Sequence, residues 1–265
     1  MRTPIEDVKK IVKECVDNNK IISLQTYLLS DYGEKVLKII TETVLTKFNR
    51  QDLIELSYSA AKELLINATK ANVKRIIFKD KNLDIRNEED YKQGMSEFKD
   101  NLREDKFPIL RPIFKKYQFP VTITYYYTPY VLNIKVKNNF PLLEIEERRI
   151  RDKFQKAKSF SSLLDFYMEF GDDTEGAGMG ITMVGLMLDE SGIDRHGFSL
   201  YSSEKYNETV AKLEIPLSEE YISKRKVFDM ELKSLDASPE ELRKAFKYNY
   251  KHFTKVVKKH ASNGK

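Results

Sequence analysis

Apolar residues near the N-terminus recur every three or four positions. Ile5, Val8, Ile11, Val12 and Val16 fall near one helical face, and Thr3-Pro4 reads as an N-cap followed by proline at the first helical position. Val36, Leu37, Ile40, Val44 and Leu45 repeat the spacing within 30–48, and a third helical stretch covers 51–70. β-rich runs follow at Val73-Lys74-Arg75-Ile76-Ile77-Phe78, Val121-Thr122-Ile123-Thr124-Tyr125-Tyr126-Tyr127 and Val131-Leu132-Asn133-Ile134-Lys135-Val136. The last two, joined by Thr128-Pro129-Tyr130, predict an antiparallel hairpin. Between the first run and this hairpin, the charged, helix-prone segment 87–116 reads as an insertion. Helical character returns over 144–170, a glycine loop spans 176–180, and the apolar run 181–188 continues as a helix. Two more strands are predicted at 197–201 and 209–215. The tail from 217 is helical and charged, with Ser238-Pro239-Glu240-Glu241 as a start signal: Ser at the N-cap, Pro at the first position and Glu at the third.

This order predicts an α+β chain in three parts: a helical extension over 1–49, a core domain over 50–216 carrying the 87–116 insertion, and a second helical extension over 217–265. A length of 265 residues suffices for one large domain with such extensions. The 46 Lys plus Arg and 41 Asp plus Glu are interspersed, so the formal charge of +5 forms no basic block and argues against nucleic acid as the partner. Cys15 is the sole cysteine, which excludes an intramolecular disulfide and a cysteine-rich zinc site. On helix packing alone it reads as a small buried apolar residue. The N-terminus shows no apolar signal core, and no stretch approaches the ~20 apolar residues that cross a bilayer. The expectation is a soluble cytoplasmic chain without a membrane span.

Two segments carry candidate chemistry. Glu63 and Asn67, four residues apart, sit one above the other on a helix, so a carboxylate and an amide can converge on one ligand. An amide oxygen suits Mg²⁺, which keeps several waters and is shared with phosphate oxygens, and the neighbouring carboxylate can orient or deprotonate a water. The same spacing also describes two solvated surface residues. The second segment is Gly176-Ala177-Gly178-Met179-Gly180, after a polar loop and before an apolar helix. Its glycines let the backbone approach an anion, and the following helix N-terminus favours phosphate. It lacks the Gly-Lys-Ser/Thr of a Walker loop, and no strand precedes it as a dinucleotide fingerprint requires. By itself it is equally a flexible turn.

Together and in this order, the two segments resemble the GHKL superfamily of gyrase, heat-shock chaperone, histidine kinase and mismatch-repair ATPases, most closely the histidine-kinase-like ATPase domain. Residues 63–70 resemble its asparagine box and 175–181 its glycine box, and the likeness spans about 50–216. The resemblance implies a Bergerat-type sandwich, a mixed sheet covered on one face by helices, binding ATP with Mg²⁺. It implies Asn67 as the metal ligand, Glu63 as the catalytic base, Lys70 on phosphate, and Gly176, Gly178, Met179 and Gly180 in the nucleotide lid. The implied partners are a nucleotide, a protein in a bacterial signalling pathway, and a second copy of the chain.

The chain departs from the pattern at the Asp-x-Gly-x-Gly motif that receives adenine. Asn138 stands in place of Asp, and Phe140 and Leu142 stand in place of the glycines. An amide oxygen still accepts one hydrogen bond, so Asn138 remains the candidate for the base, without the charge that strengthens the contact. No histidine occurs before His196, so the ordinary autophosphorylation site is missing. His196, His252 and His260 read as surface residues. Tyr125 and Tyr127 should share one face of their strand and Tyr126 the other, which is packing rather than a base-stacking platform. Two functions stay open: an ATPase or kinase acting in trans, and a pseudokinase-like module that binds a protein or a different ligand. A nucleic-acid remodelling ATPase is disfavoured by the dispersed charge and the missing transducer domain.

Overall fold

Alternation of buried and half-buried residues along β2 (Val121–Tyr127) gives the sheet one apolar and one polar face in the computed structural model, which describes residues 3–101, 107–157, 159–160, 162–170, 179–235 and 238–246. β2 forms the expected hairpin with β3 (Val131–Asn138). β1 (Ile22–Thr26) lies outside β2, and β5 (Glu208–Pro216) and β4 (Phe198–Ser203) complete the order β1-β2-β3-β5-β4. All four pairings are antiparallel, so the sheet is not mixed as expected. The difference traces to the fifth strand. It is β1, which runs through Ile22, Leu24 and Thr26 and pairs Ile22 with Tyr125; the 73–78 run is not a strand.

That run instead ends α3 (Ile54–Asp80), a helix of 27 residues that follows a short 3₁₀ turn over Gln51–Leu53. No glycine or proline interrupts it. Its buried positions Ala61, Leu64, Leu65, Ala68, Asn72, Val73, Ile76 and Ile77 continue the three-and-four spacing without a break. The β-branched residues of 73–78 are thus placed by tertiary burial, each contributing about 1.5–3 kcal/mol, which outweighs their weak helix propensity.

α2 (Asp31–Lys47), capped by the Ser30 side chain accepting from Gly33 N, and α8 (Met179–Glu190) join α3 on the apolar face. There Leu37, Ile40, Leu65 and Val184 share one core with Val121, Ile123, Tyr125, Ile134, Leu213 and Ile215. Tyr125 and Tyr127 point into this core and Tyr126 to the other side, as the alternation requires. The Tyr125 hydroxyl meets Thr41 Oγ1 at 3.0 Å inside it. α1 (Ile5–Asp17) packs on α2 through Val8, Val12 and Val16. Thr3 does not cap α1: extended Pro4 occupies the cap position and offers no side-chain acceptor. Cys15 is half-buried against the core rather than fully enclosed.

Segment 87–116 forms α4 (Glu88–Asn101) and α5 (Phe107–Tyr117), both packed on the second half of α3. A small second core gathers there from Val73, Ile76, Ile77, Phe114, Phe119 and Phe140. Gly94 of α4 lies against the outer end of the Phe78 ring, where any Cβ would overlap it. α6 (Glu144–Ala157) and α7 (Leu163–Phe170) lead toward α8. After β5, Tyr221 donates to Glu214 Oε2 on the polar sheet face at 3.0 Å. α9 (Lys224–Ser234) and α10 (Pro239–Ala245) follow, the latter with the reciprocal Ser238–Glu241 capping box.

Candidate functional site

The middle of α3 carries Glu63 and Asn67, both half-buried, with Asn67 Nδ2 donating to Glu63 Oε1 at 3.0 Å. Helical periodicity brings them together, and the bond turns Asn67 Oδ1 away from the carboxylate. Facing them is the first turn of α8. A Cβ on Gly180 would overlap Glu63 Oε1 and come within 2.5 Å of Asn67 Nδ2. Only glycine admits the carboxylate and the amide at that helix N-terminus, where backbone N–H groups lack helical partners. The sequence-derived residues Glu63, Asn67 and Gly180 therefore share one location. Lys70, half-buried, follows Asn67 by three residues on the helix. Met179 opens α8, while Gly176 and Gly178 lie outside the described residues.

Asn138 ends β3 and is buried one step further along α3. Among the described residues its side chain bonds through Nδ2, to Ala68 O at 2.9 Å and to Asn72 Oδ1 at 2.6 Å. Asn72 in turn donates from Nδ2 to Phe119 O at 2.7 Å. Backbone carbonyls can only accept, so the orientations of both amides are dictated from the two ends of the relay. Asn138 thus presents its oxygen to anything beside it. Ala68 adjoins Asn67 in sequence, so this relay fixes the end of β3 against the turn of α3 that carries the metal-ligand candidate.

Beyond Asn138 the chain is pinned down. Phe140 is buried, edge-on to Phe119 with ring centroids 5.6 Å apart and with the Arg75 guanidinium 4.7 Å over its ring. Thr209 Oγ1 donates to Phe140 O at 2.8 Å, and Leu142 N donates to Ser202 Oγ at 2.8 Å. Glu146, in the first turn of α6, accepts from Arg75 through both oxygens at 2.9 and 2.6 Å. Lys74 Nζ reaches its Oε1 at 2.5 Å, and Leu143 N donates to it at 3.0 Å. Burial pushes the Glu146 carboxyl up, but the hydrogen bonds and charges of Arg75 and Lys74, with the Leu143 N–H, prevail and hold it at about 2.

Sequence reasoning did not single out Asn72, Lys74, Arg75 or Glu146. Lys74 lies seven residues after Asn67, two turns along the same helical face, but that signal is hidden once 73–78 is read as a strand. His196 is an exposed residue whose Nδ1 lies 2.7 Å from Asp194 Oδ1, and His252 and His260 lie outside the described residues. Among the described residues, no three His, Cys, Asp or Glu side chains converge to hold a metal, and no helix is long and apolar enough to cross a membrane. An amide ligand with phosphate oxygens, as Asn67 would provide, is a different donor set.

No family model matches the chain, and no solved structure matches it. The chain is similar to a protein of Treponema pallidum (strain Nichols) described as an uncharacterized protein, with 29% identity over 212 residues. The match covers 80% of this chain and 40% of that protein, so the chain spans less than half the length of its relative.

Proposed function

We propose that this chain is a Bergerat-type nucleotide-binding module that takes ATP with Mg²⁺ between α3 and α8 and serves bacterial signalling. The observation that carries the reading is the contact of Gly180 with Glu63 and Asn67, which sets a carboxylate, an amide and a helix N-terminus around one point. Three helices on one face of the sheet agree with it. In this reading Asn67 Oδ1 would hold the Mg²⁺ together with the nucleotide, Lys70 would neutralise phosphate charge, and the α8 N–H groups would donate to the phosphate end. Glu63 would then take the proton of a water attacking the γ-phosphorus, or of a hydroxyl on a protein substrate in trans, as the bond from that phosphorus to the β–γ bridging oxygen breaks and ADP leaves. Asn138 Oδ1 accepts an exocyclic amino group at the base end.

A second reading, a non-catalytic module that binds a protein or a different ligand, is favoured by the base end itself. Phe140 is buried where the resemblance calls for glycine, and Arg75 and Glu146 fasten the segment beyond it. Calorimetry with ATP, with and without Mg²⁺, on the wild type and Asn67→Ala separates the two. Saturable, magnesium-dependent binding that vanishes in the variant supports the first reading. No heat at millimolar ATP overturns it in favour of the second.

A further inference from the structure

Lys74 and Arg75 form a cationic clamp at the far end of the helical face that carries Glu63, Asn67 and Lys70. Their side chains are only 10% and 11% exposed, and Glu146, the one carboxylate paired with them among the described residues, is 14% exposed. Two buried cations thus face one anion, leaving about one positive charge uncompensated in a low-dielectric place. The bidentate fork of Arg75 with a lysine point charge beside it is the geometry by which proteins hold oxyanions, and the two-plus charge matches a phosphoryl dianion better than a carboxylate. Rings complete the enclosure, with Tyr91 beneath Lys74 and Phe140 beneath Arg75. Arg149 donates to the Tyr91 hydroxyl at 2.7 Å, so α4, α3 and α6 all meet here.

The geometry points to an oxyanion site at Lys74 and Arg75, specific for a phosphate or phosphoryl group, whose occupant in this structure is the chain's own Glu146 carboxylate. The site is distinct from the one at Glu63, Asn67 and Gly180: Lys74 follows Asn67 by seven residues, about 10 Å along the helix axis. Glu146 is therefore an intramolecular competitor, and a phosphate arriving at the clamp releases the start of α6 and the segment that holds Phe140.

Chemical rescue tests this. Glu146→Gln removes the competitor and leaves two buried cations without a counter-ion, so its Tm should fall. Inorganic phosphate should then raise the Tm of the variant well beyond its effect on the wild type, with affinity for phosphate improved by at least ~10-fold. A Lys74→Met, Glu146→Gln double variant should lose the rescue. Adding Asn67→Ala to Glu146→Gln should leave it intact, which separates this site from the proposed nucleotide site. Tripolyphosphate in place of phosphate distinguishes a free ion from the end of a longer ligand by which of the two rescues at lower concentration. Equal phosphate responses of wild type and Glu146→Gln, or a rescue abolished by Asn67→Ala, overturn the assignment. If Glu146→Gln does not fold, Glu146→Asp, which keeps the charge but shortens the reach, is judged by the same comparison with wild type.

Discussion

Glu63 and Asn67, in the first half of α3, satisfy each other within a single turn, whereas Asn72 and Arg75 in the second half are held by groups 47 and 71 residues away in sequence. The first pair is half-buried, shares one hydrogen bond and touches a helix N-terminus across a glycine. The second set is enclosed, its amides oriented by backbone carbonyls and its two cations sharing the Glu146 carboxylate. The contrast separates two uses of polar residues on one helix. Side chains that, among the described residues, bond to a neighbour on their own helix can exchange that partner for a ligand at small cost, while those wired to distant backbone give it up only by disturbing the fold.

The sharpest way to break this contrast is Asn138→Asp. The aspartate that the family resemblance calls for would set a buried carboxylate against Ala68 O and Asn72 Oδ1, neither of which can donate. A loss of about 3–5 kcal/mol is expected, as for other uncompensated buried charges. Urea unfolding that shows wild-type stability for this variant would refute the relay. Acid titration comes next. The folded-state value of Glu146 lies below its ordinary 4.5, so its contribution is fully present above pH 4.5 and is lost as the pH falls toward about 2. The depression corresponds to about 3 kcal/mol. Stability curves of wild type and Glu146→Gln should therefore converge over that window; parallel curves would show that Glu146 does not carry the effect.

Gly180→Ala should have the smallest effect on stability, about 1 kcal/mol or less, because the atoms in its way are the ends of two mobile side chains. Those ends are the proposed ligands, so magnesium-dependent ATP binding should nonetheless weaken by at least ~10-fold. A variant that binds ATP normally would detach Gly180 from the site. Near-silence in stability with a large loss of binding is the signature expected of the first half of α3, and the reverse is expected of the second.

Local signals account for what was legible in the sequence. The β2–β3 hairpin, the Ser238 capping box and the alternation of Tyr125, Tyr126 and Tyr127 depend on residues close together in the chain, and so does the Glu63–Asn67 pair. The 73–78 run reads as a strand because Val73, Ile76, Ile77 and Phe78 favour strands intrinsically, while the burial of Val73, Ile76 and Ile77 against Phe114 and Phe119 is decided by a segment about forty residues later. β1 was passed over because it is five residues long, and its partner Tyr125 is distant. The clamp at Glu146 was invisible for the same reason: nothing near Lys74 and Arg75 in sequence announces a carboxylate on α6.

The position of β1 bears on how the chain reaches this state. Ser23 and Thr124, which meet across the β1–β2 pairing, are 101 residues apart, and among the described residues β1 borders no other strand. Closing so long a loop is entropically expensive and slow relative to the local β2–β3 hairpin. During synthesis, β1 leaves the ribosome about a hundred residues before its template exists. A strand made long before its partner is an unpaired edge throughout that interval, open to a chaperone or to a second nascent chain.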